Sequence, residues 1–554
     1  MRAVTPSCVT GYSVFEPLEP RLLLSSGLWV TGLTPTGGAG HPFATVEVTL
    51  SKGVQDATFT ADDITVTGPG GPITADTLTR LDANRYSFHL PGTGLATYSL
   101  VIGPDIQDTD SVRMDQDHDG TPGEAGQDAY SAKLSADGLS IAAADISYDG
   151  WNLVLYGATS TIDGPHTFGS LEVLGGATLG HSAATESQAP SLDLLITDAL
   201  VVDASSKIDV SGLGYLPGRT QGNLPQEGPT ASIGGTYGGV GFDWGWEVYG
   251  QPYGDFRNPT EPGAGGAGSA AEGNGAGGGL ARLSAATAVI DGAIVAAGGS
   301  STSFFGDHAG SGGGIRLDVG TLGGGGSISA DGGNADFSGG GGRVAVYYDA
   351  LAGFDLSHVT AVGGNLDAEH AASPGTVYLE ETGHNGQLVI DNHGAPTGTF
   401  TPLGIPSDTE FVAPDVVIRG AGVVVRPDHQ MPVRVDNLTL SGGAVLTHRP
   451  SETDQVNSLD LSVSDTLSID AASKIDVSGA GYLGGRTSGN STVGAATGYS
   501  GGTYGGMGCE QVGVTGKTYG DYHDPTEPGA GGGNKDDYLG GAGGGWRGFR
   551  PPRP

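Results

Sequence analysis

The chain has 554 residues, of which 103 are glycine and 31 proline, about a quarter of the total. Its 24 Lys+Arg against 61 Asp+Glu give a formal charge of −37, a field that repels nucleic acid and anionic bilayers and excludes both as partners. Charged residues make up only 15%, too few for large helical domains with charged outer faces, while 37% hydrophobic residues in alternating runs favour strands joined by long Gly-rich loops over disorder.

Residues 1–27 have no regular pattern and are expected to be mostly unstructured. Cys8 and Cys509 sit at opposite ends, so neither a disulfide framework nor a four-cysteine zinc site can be built. No run approaches the ~20 apolar residues of a transmembrane helix. The apolar Leu22-Leu23-Leu24 is also shorter than the core of a secretory signal. The segment Phe15-Glu16-Pro17-Leu18-Glu19-Pro20-Arg21-Leu22-Leu23-Leu24-Ser25 closely resembles the LEPR-XLL motif found near the start of large bacterial repeat proteins. That resemblance implies an exported protein at the cell surface or outside the cell.

Residues 28–134 read as an antiparallel β-sandwich. Ala44-Thr45-Val46-Glu47-Val48-Thr49-Leu50 and Ile64-Thr65-Val66-Thr67 alternate with period two. Gly68-Pro69-Gly70-Gly71-Pro72 makes a turn, and 85–90 and 97–102 supply further strands. Short strands at this spacing suggest an Ig-like domain, and the stretch resembles the Ig-like modules of bacterial surface proteins.

The tail of this region carries the best candidate site. Asp115, Asp117 and Asp119 alternate and are followed by Gly120, Glu124 and Asp128. Alternating carboxylates before a glycine are the opening of a calcium loop, in which positions 1, 3 and 5 supply hard oxygens and glycine makes the turn. The pattern departs from an EF-hand, because position 12 is Gly126 and no helix pair flanks it. Calcium is therefore the expected cofactor, held by Asp115, Asp117, Asp119, Glu124 and Asp128, with Asp105, Asp108 and Asp110 close upstream; the bland alternative is a solvated acidic linker.

After residue 140 an internal repeat dominates. Ser206-Lys207-Ile208-Asp209-Val210-Ser211-Gly212 returns as Ser473-Lys474-Ile475-Asp476-Val477-Ser478-Gly479, and Gly234-Gly235-Thr236-Tyr237-Gly238-Gly239 returns as Gly501-Gly502-Thr503-Tyr504-Gly505-Gly506, both at an offset of 267. So long a unit must hold several coils. Alternating strands after Gly-Gly occur at Leu280, Ile315, Val344 and near Val377, at spacings of 35, 29 and 33. The expected architecture is all-β: the sandwich, then a parallel β-solenoid of the right-handed β-helix type with Gly-rich loops bulging from one side. Glycine is expected there for corners that need positive φ. Repeat unit 1 spans 140–412 and an incomplete unit 2 spans 413–545. The tail 546–554 breaks the pattern, because Pro551, Pro552 and Pro554 cannot donate to a ladder and Gly548 weakens one; a premature stop after a frame shift is the expected cause.

Catalytic patterns fare poorly. Gly498-Tyr499-Ser500-Gly501-Gly502 matches a nucleophile elbow, but no helix-forming sequence follows it, and the residue matching Ser500 in the first copy is Ile233. Gln511 stands where a phosphate loop ending in Gly516-Lys517-Thr518 needs its first glycine. Trp244, Trp246, Tyr249 and Tyr253 lie among glycines where exposed rings could stack on sugars. Asp255 and Glu261, mirrored by Asp521 and Glu527, read as acceptors that fix loops. The expected function is a non-enzymatic surface or extracellular structural or adhesive protein, whose partners are other surface or matrix components, polysaccharide among them. A polysaccharide lyase of the β-helix type and a carbohydrate-binding module are the alternatives.

Overall fold

The computed structural model describes residues 27–38, 40–225, 233–243, 250–301, 306–535 and 538–545, and the backbone of 547–550. The LEPR-XLL-like segment, Cys8, Trp244, Trp246 and Tyr249 lie outside the described residues. The fold is all-β, and the helical elements among the described residues are isolated three-residue 3-10 turns. Two compact units form, Met1–Ala132 and Lys133–Pro554.

The first unit is antiparallel. Val30–Pro35, Thr45–Leu50, Arg85–His89 and Asp76–Arg80 form a four-stranded sheet in that order. Ile64–Gly68 pairs with both Gly71–Thr74 and Thr97–Ile102. The alternation decides the faces: Val46, Val48, Leu50, Val66, Leu100 and Ile102 are buried while the intervening threonines and serines turn outward. Phe43 packs edge-on against Tyr98 and Phe59 against Tyr86, with centroids 5.9 and 5.0 Å apart.

The second unit is a parallel β-solenoid. Leu192–Val202, Leu280–Ile290, Gly314–Gly323 and Arg343–Ala352 lie side by side in parallel register, and each is long enough to cover two faces of a coil. The ladder skips at Thr197-Asp198, Ala286, Gly320 and Asp349, which marks the corner between those faces. A third face stacks the short strands Thr178–Gly180, Lys207–Asp209, Ala293–Val295, Ser327–Ser329 and Val359–Thr360. The spacing from the Leu280 strand to the next coil is 34 residues, since Leu283 faces Leu317, one fewer than the sequence pattern suggests. Identical faces place like on like. Leu194, Leu283, Leu317 and Val346 form one interior ladder, and Leu179, Ile208, Ile294, Ile328 and Val359 another, all 3% exposed or less. Each such side chain contributes roughly 1.5–3 kcal/mol by leaving water.

Among the described residues, the ladder of long strands contains one antiparallel pairing. Thr376–Glu381 pairs antiparallel with Gln387–Asp391, and from there a second parallel stack runs through Phe411–Arg419, Pro432–Ser441 and Leu459–Ile469. The backbone of Arg547–Arg550 adds to this ladder with Gly548 opposite Asp460, although the composition of the tail argues against a strand there. Pro551, Pro552 and Pro554 lie outside the described residues.

The Gly-rich segments are not loops in the expected sense. Between the third face and the next coil the chain runs through extended glycine rows, among them 210–218, 234–241, 263–267, 275–279, 308–313, 337–342 and 371–375, which pack on one another beside the solenoid. Successive N–H groups of one row go to different neighbours: Gly339 to Gly333, Gly340 to Gly235, Gly341 to Ser373 and Gly342 to Ala330, at 2.8–3.0 Å. A β-strand sends its bonds to two sides only, whereas each of these rows bonds to several different neighbours. Most glycines in the cores of these rows have φ outside the left-handed region. Their requirement is steric: a Cβ on Gly278 would lie 2.1 Å from the Ala296 carbonyl oxygen, and one on Gly238 2.2 Å from that of Gly342. The expectation that glycine serves mainly to turn corners is thus corrected, because in these rows it serves to let backbones touch. Arg343, 3% exposed, binds the rows to the sheet by donating to the Tyr253 and Tyr237 carbonyls and to Thr376 Oγ1.

Gly278 and Gly544 occupy the same position in the two copies, yet a Cβ on Gly544 meets nothing within 4 Å. Gly278→Ala is expected to destabilise the solenoid by about 1–3 kcal/mol, and Gly544→Ala by less than about 0.5 kcal/mol, in urea unfolding followed by circular dichroism. Equal effects would contradict the packing of the first set of rows.

Candidate metal centre

Residues 115–128 form an irregular loop in the first unit. Its backbone reverses through left-handed residues, His118 at φ 61°, Gly120 at 87°, Gly123 at 92° and Gly126 at 88°. The Gln116 side chain clamps the loop to the edge of the sheet: its Oε1 accepts from the Val30 N–H at 2.9 Å and its Nε2 donates to the Val30 carbonyl at 3.3 Å. Trp29 stands edge-on to the His118 ring, centroids 4.7 Å apart. Gly27 runs so close beneath Asp115 that a Cβ there would overlap the aspartate Cβ at 2.1 Å.

This path brings all five sequence-predicted residues together. Carboxylate oxygens of Asp115, Asp117 and Asp128 lie within 4.8 Å of one another, as do those of Asp117, Asp119 and Glu124, so Asp117 joins two overlapping triads. Asp115 and Asp128 are fully buried. Backbone N–H groups aim several of the carboxylates: Gln116 and Glu124 donate to Asp128 at 3.1 and 2.6 Å, Asp119 to Asp117 at 3.2 Å, and Thr121 to Asp119 at 2.7 Å. Glu124 Oε2 is buried without a hydrogen-bond partner. Desolvation, then the charges of Asp119, Asp128, Asp117 and Asp115, push the Glu124 carboxyl above its ordinary value. The upstream acids go elsewhere, Asp108 to Lys52 and to the Asp110 and Val112 N–H groups, and Asp105 to Arg113. A donor set made only of hard oxygens, one of them buried and unpaired, fits Ca²⁺ or Mg²⁺ rather than a softer transition metal.

In the solenoid, the other acids singled out by sequence hold loops. Glu261 accepts from the Tyr215 hydroxyl at 2.8 Å and the Gly222 N–H at 2.9 Å; Glu527 accepts from Tyr482 at 2.9 Å and Gly489 at 3.2 Å. Burial, with Glu527 adding, pushes the Tyr482 hydroxyl up to about 12. Asp255 and Asp521 cap turns by accepting from the N–H groups of Arg257 and His523. Tyr253 is buried and donates to the Pro262 carbonyl, so it offers no face to a sugar, and Tyr519 makes the same bond to Pro528. Ser500 is a buried member of a glycine row, not the apex of a strand-to-helix turn.

Sequence reading missed the paired histidines His181 and His448. Both are buried, and burial lowers both pKa values; each Nδ1 is bonded to the next carbonyl, and each Nε2 faces a glycine, Gly279 or Gly545. Their shared offset of 267 was the available signal. A cavity of 230 Å³ opens where the two stacks meet, walled by Val359, Val377, Val389 and Val417; its carboxylate, Asp391, is bound by Arg419 at 2.5 Å.

No family model matches the chain, and no curated protein matches it. Among solved structures, a family 28 exopolygalacturonase of Yersinia enterocolitica is similar over 81% of this chain and 97% of that one, with 10% identity and a TM-score of 0.13. At that score the likeness carries no inference about site or activity.

Without a cation, the folded state holds the Glu124 proton more tightly than the unfolded chain does. Folding is therefore favoured as pH falls from neutrality through the raised value and penalised above it. In chelator, Glu124→Gln is expected to raise the melting midpoint of the first unit at about pH 7, an advantage that disappears near pH 4. Circular dichroism melts at the two pH values check this; an advantage equal at both would contradict it.

Proposed function

We propose that the chain is a non-enzymatic structural or adhesive repeat protein of the cell surface or extracellular space, with a first unit locked by calcium. The observation that carries the reading is the fate of the repeated polar residues. Tyr215, Glu261 and Gly222 make the same bonds as Tyr482, Glu527 and Gly489, so what the repeat keeps in both copies is loop fixation. Acids spent on loop-fixing hydrogen bonds to a tyrosine hydroxyl and a backbone N–H are not poised for proton transfer to a substrate. The cavity between the stacks adds one carboxylate already neutralised by an arginine, where glycoside hydrolysis by the common routes uses two. The resemblance of 15–25 to the LEPR-XLL motif supports export, and the charge of −37 supports partners that are neutral or cationic components of a surface or matrix.

Calcium is the cofactor of the proposed function, held by Asp115, Asp117, Asp119, Glu124 and Asp128. Titration of the full chain with CaCl₂ in a calorimeter is expected to show saturable binding that Asp117→Asn with Asp119→Asn abolishes. Calcium at 100 times its dissociation constant would add about 2.7 kcal/mol to the first unit and raise its midpoint over that in chelator. An unshifted midpoint would leave a solvated acidic linker. In parallel, the chain is expected to bind on a glycan array or to matrix components without releasing unsaturated sugars from polyuronates. Turnover in that lyase assay would replace the structural reading by the enzymatic one.

A further inference from the structure

One face of the long-strand sheet changes role between the two stacks. In Gln387–Asp391 and Phe411–Arg419, Leu388, Ile390, Val416 and Ile418 are at most 2% exposed in the core of the second stack. Period two therefore turns Val389 and Val417 to the opposite face. Val389 lies across the antiparallel ladder from Val377, an inward residue of the first stack, and packs on that core; Val417 lies beside Val389. The inner surface of the first stack thus continues past its last coil onto the outer surface of the second. Val359 and Ala361 of the third face complete the lining, and the gap they leave is the 230 Å³ cavity. Val389 and Val417 are left only half-buried.

Two residues further along the same face stand Asp391 and Arg419, partners across the ladder. The Asp391 side chain is 8% exposed and accepts from Arg419 Nε at 2.5 Å and from the His393 N–H at 2.8 Å, which engages both of its oxygens. The terminal nitrogens of Arg419 make no hydrogen bond among the described residues, although the side chain lines the cavity. His393, also in the lining, is held at φ 49°, a left-handed value that few residues other than glycine adopt, with its Nε2 3.6 Å from Asp391. Aliphatic walls with a few convergent polar groups are the make-up of a small-molecule site.

We propose that this cavity binds a small carboxylate with an apolar body, a ring or a short chain. The valines take the body out of water. A cavity of roughly 150 Å³ encloses a benzene ring, so 230 Å³ holds a ring together with a carboxylate. Arg419, fixed through Nε by Asp391, keeps the edge formed by its terminal nitrogens for the two oxygens of the ligand, the arrangement that bidentate recognition requires. The acceptors at this end are spent and the donors are not, which favours an acid over an amine or an alcohol. The charge of −37 opposes an anion only at close range, since at about 0.1 M salt exposed charges more than about 10 Å away are screened. The site requires neither the calcium loop nor the adhesive role.

The test titrates benzoate, benzyl alcohol and benzylamine into the full chain and follows binding by ligand-observed NMR. Benzoate is expected to saturate, with a dissociation constant at least about tenfold lower than that of the alcohol or the amine. Arg419→Gln is expected to bring benzoate down to the level of benzyl alcohol. Val389→Phe puts a ring into the cavity and is expected to abolish benzoate binding without lowering the melting midpoint; it decides alone if Arg419→Gln proves to unfold the chain. No benzoate binding up to about 10 mM, benzoate bound no tighter than the alcohol or the amine, or benzoate affinity unchanged by Val389→Phe would each overturn the proposal.

Discussion

Contact between one backbone and another, with nothing between them, is the constraint on which the solenoid unit depends. Its third face leads into rows whose carbonyl oxygens sit about 2 Å from where a neighbour's Cβ would be, and a methyl group at those positions would force the rows apart. Because each row bonds to several different neighbours, the glycine array binds successive coils to one another on the side where no regular sheet does so. The apolar ladders inside the coil fix its cross-section, and the glycine rows fix how adjacent coils sit on the outside. Arg343 and the tyrosines Tyr237 and Tyr253 fasten the two systems together at their boundary.

The polar residues of the second unit follow from that construction. A row turning back on itself leaves N–H groups that no glycine neighbour reaches, and Glu261 and Glu527 accept them with help from a tyrosine hydroxyl. Burial lowers the pKa of the histidines His181 and His448, because the packed rows desolvate the charged form. The first unit handles charge in the opposite way. It gathers carboxylates around Asp117 and buries two of them, a cost that main-chain donors offset only in part and that leaves Glu124 Oε2 unpaired.

Much of this was legible in the chain. Alternation at Val46-Glu47-Val48 and at Ile208 and Ile294 assigned strands and their inner faces, since a period of two has one structural meaning where one face is buried. The offset of 267 assigned the repeat, and the spacing of Asp115, Asp117, Asp119 and Gly120 assigned the acidic loop, because short-range turn chemistry sets which carboxylates converge. The coil period was read one residue long at Leu280 because counting from the first residue of a strand ignores which residue opposes it. The strand at Arg547–Arg550 was not expected, since composition argued against it while the open edge at Leu459 offers any backbone a ladder.

By itself, then, the sequence determined what is local and periodic: an all-β chain, the inward positions of each coil, the repeat and the acidic turn. Only the tertiary structure decided what the glycines are for. A glycine before a corner and a glycine between two touching backbones are written with the same letter, and the difference lies in neighbours tens of residues away, such as Ala296 beside Gly278 or Gly342 beside Gly238. For the same reason Gly278 and Gly544, in identical local sequence, are respectively enclosed and open. The reversal between Thr376–Glu381 and Gln387–Asp391 and the fully buried Arg343 also belong to the tertiary structure, because strand direction and long-range burial are set by what packs against a segment.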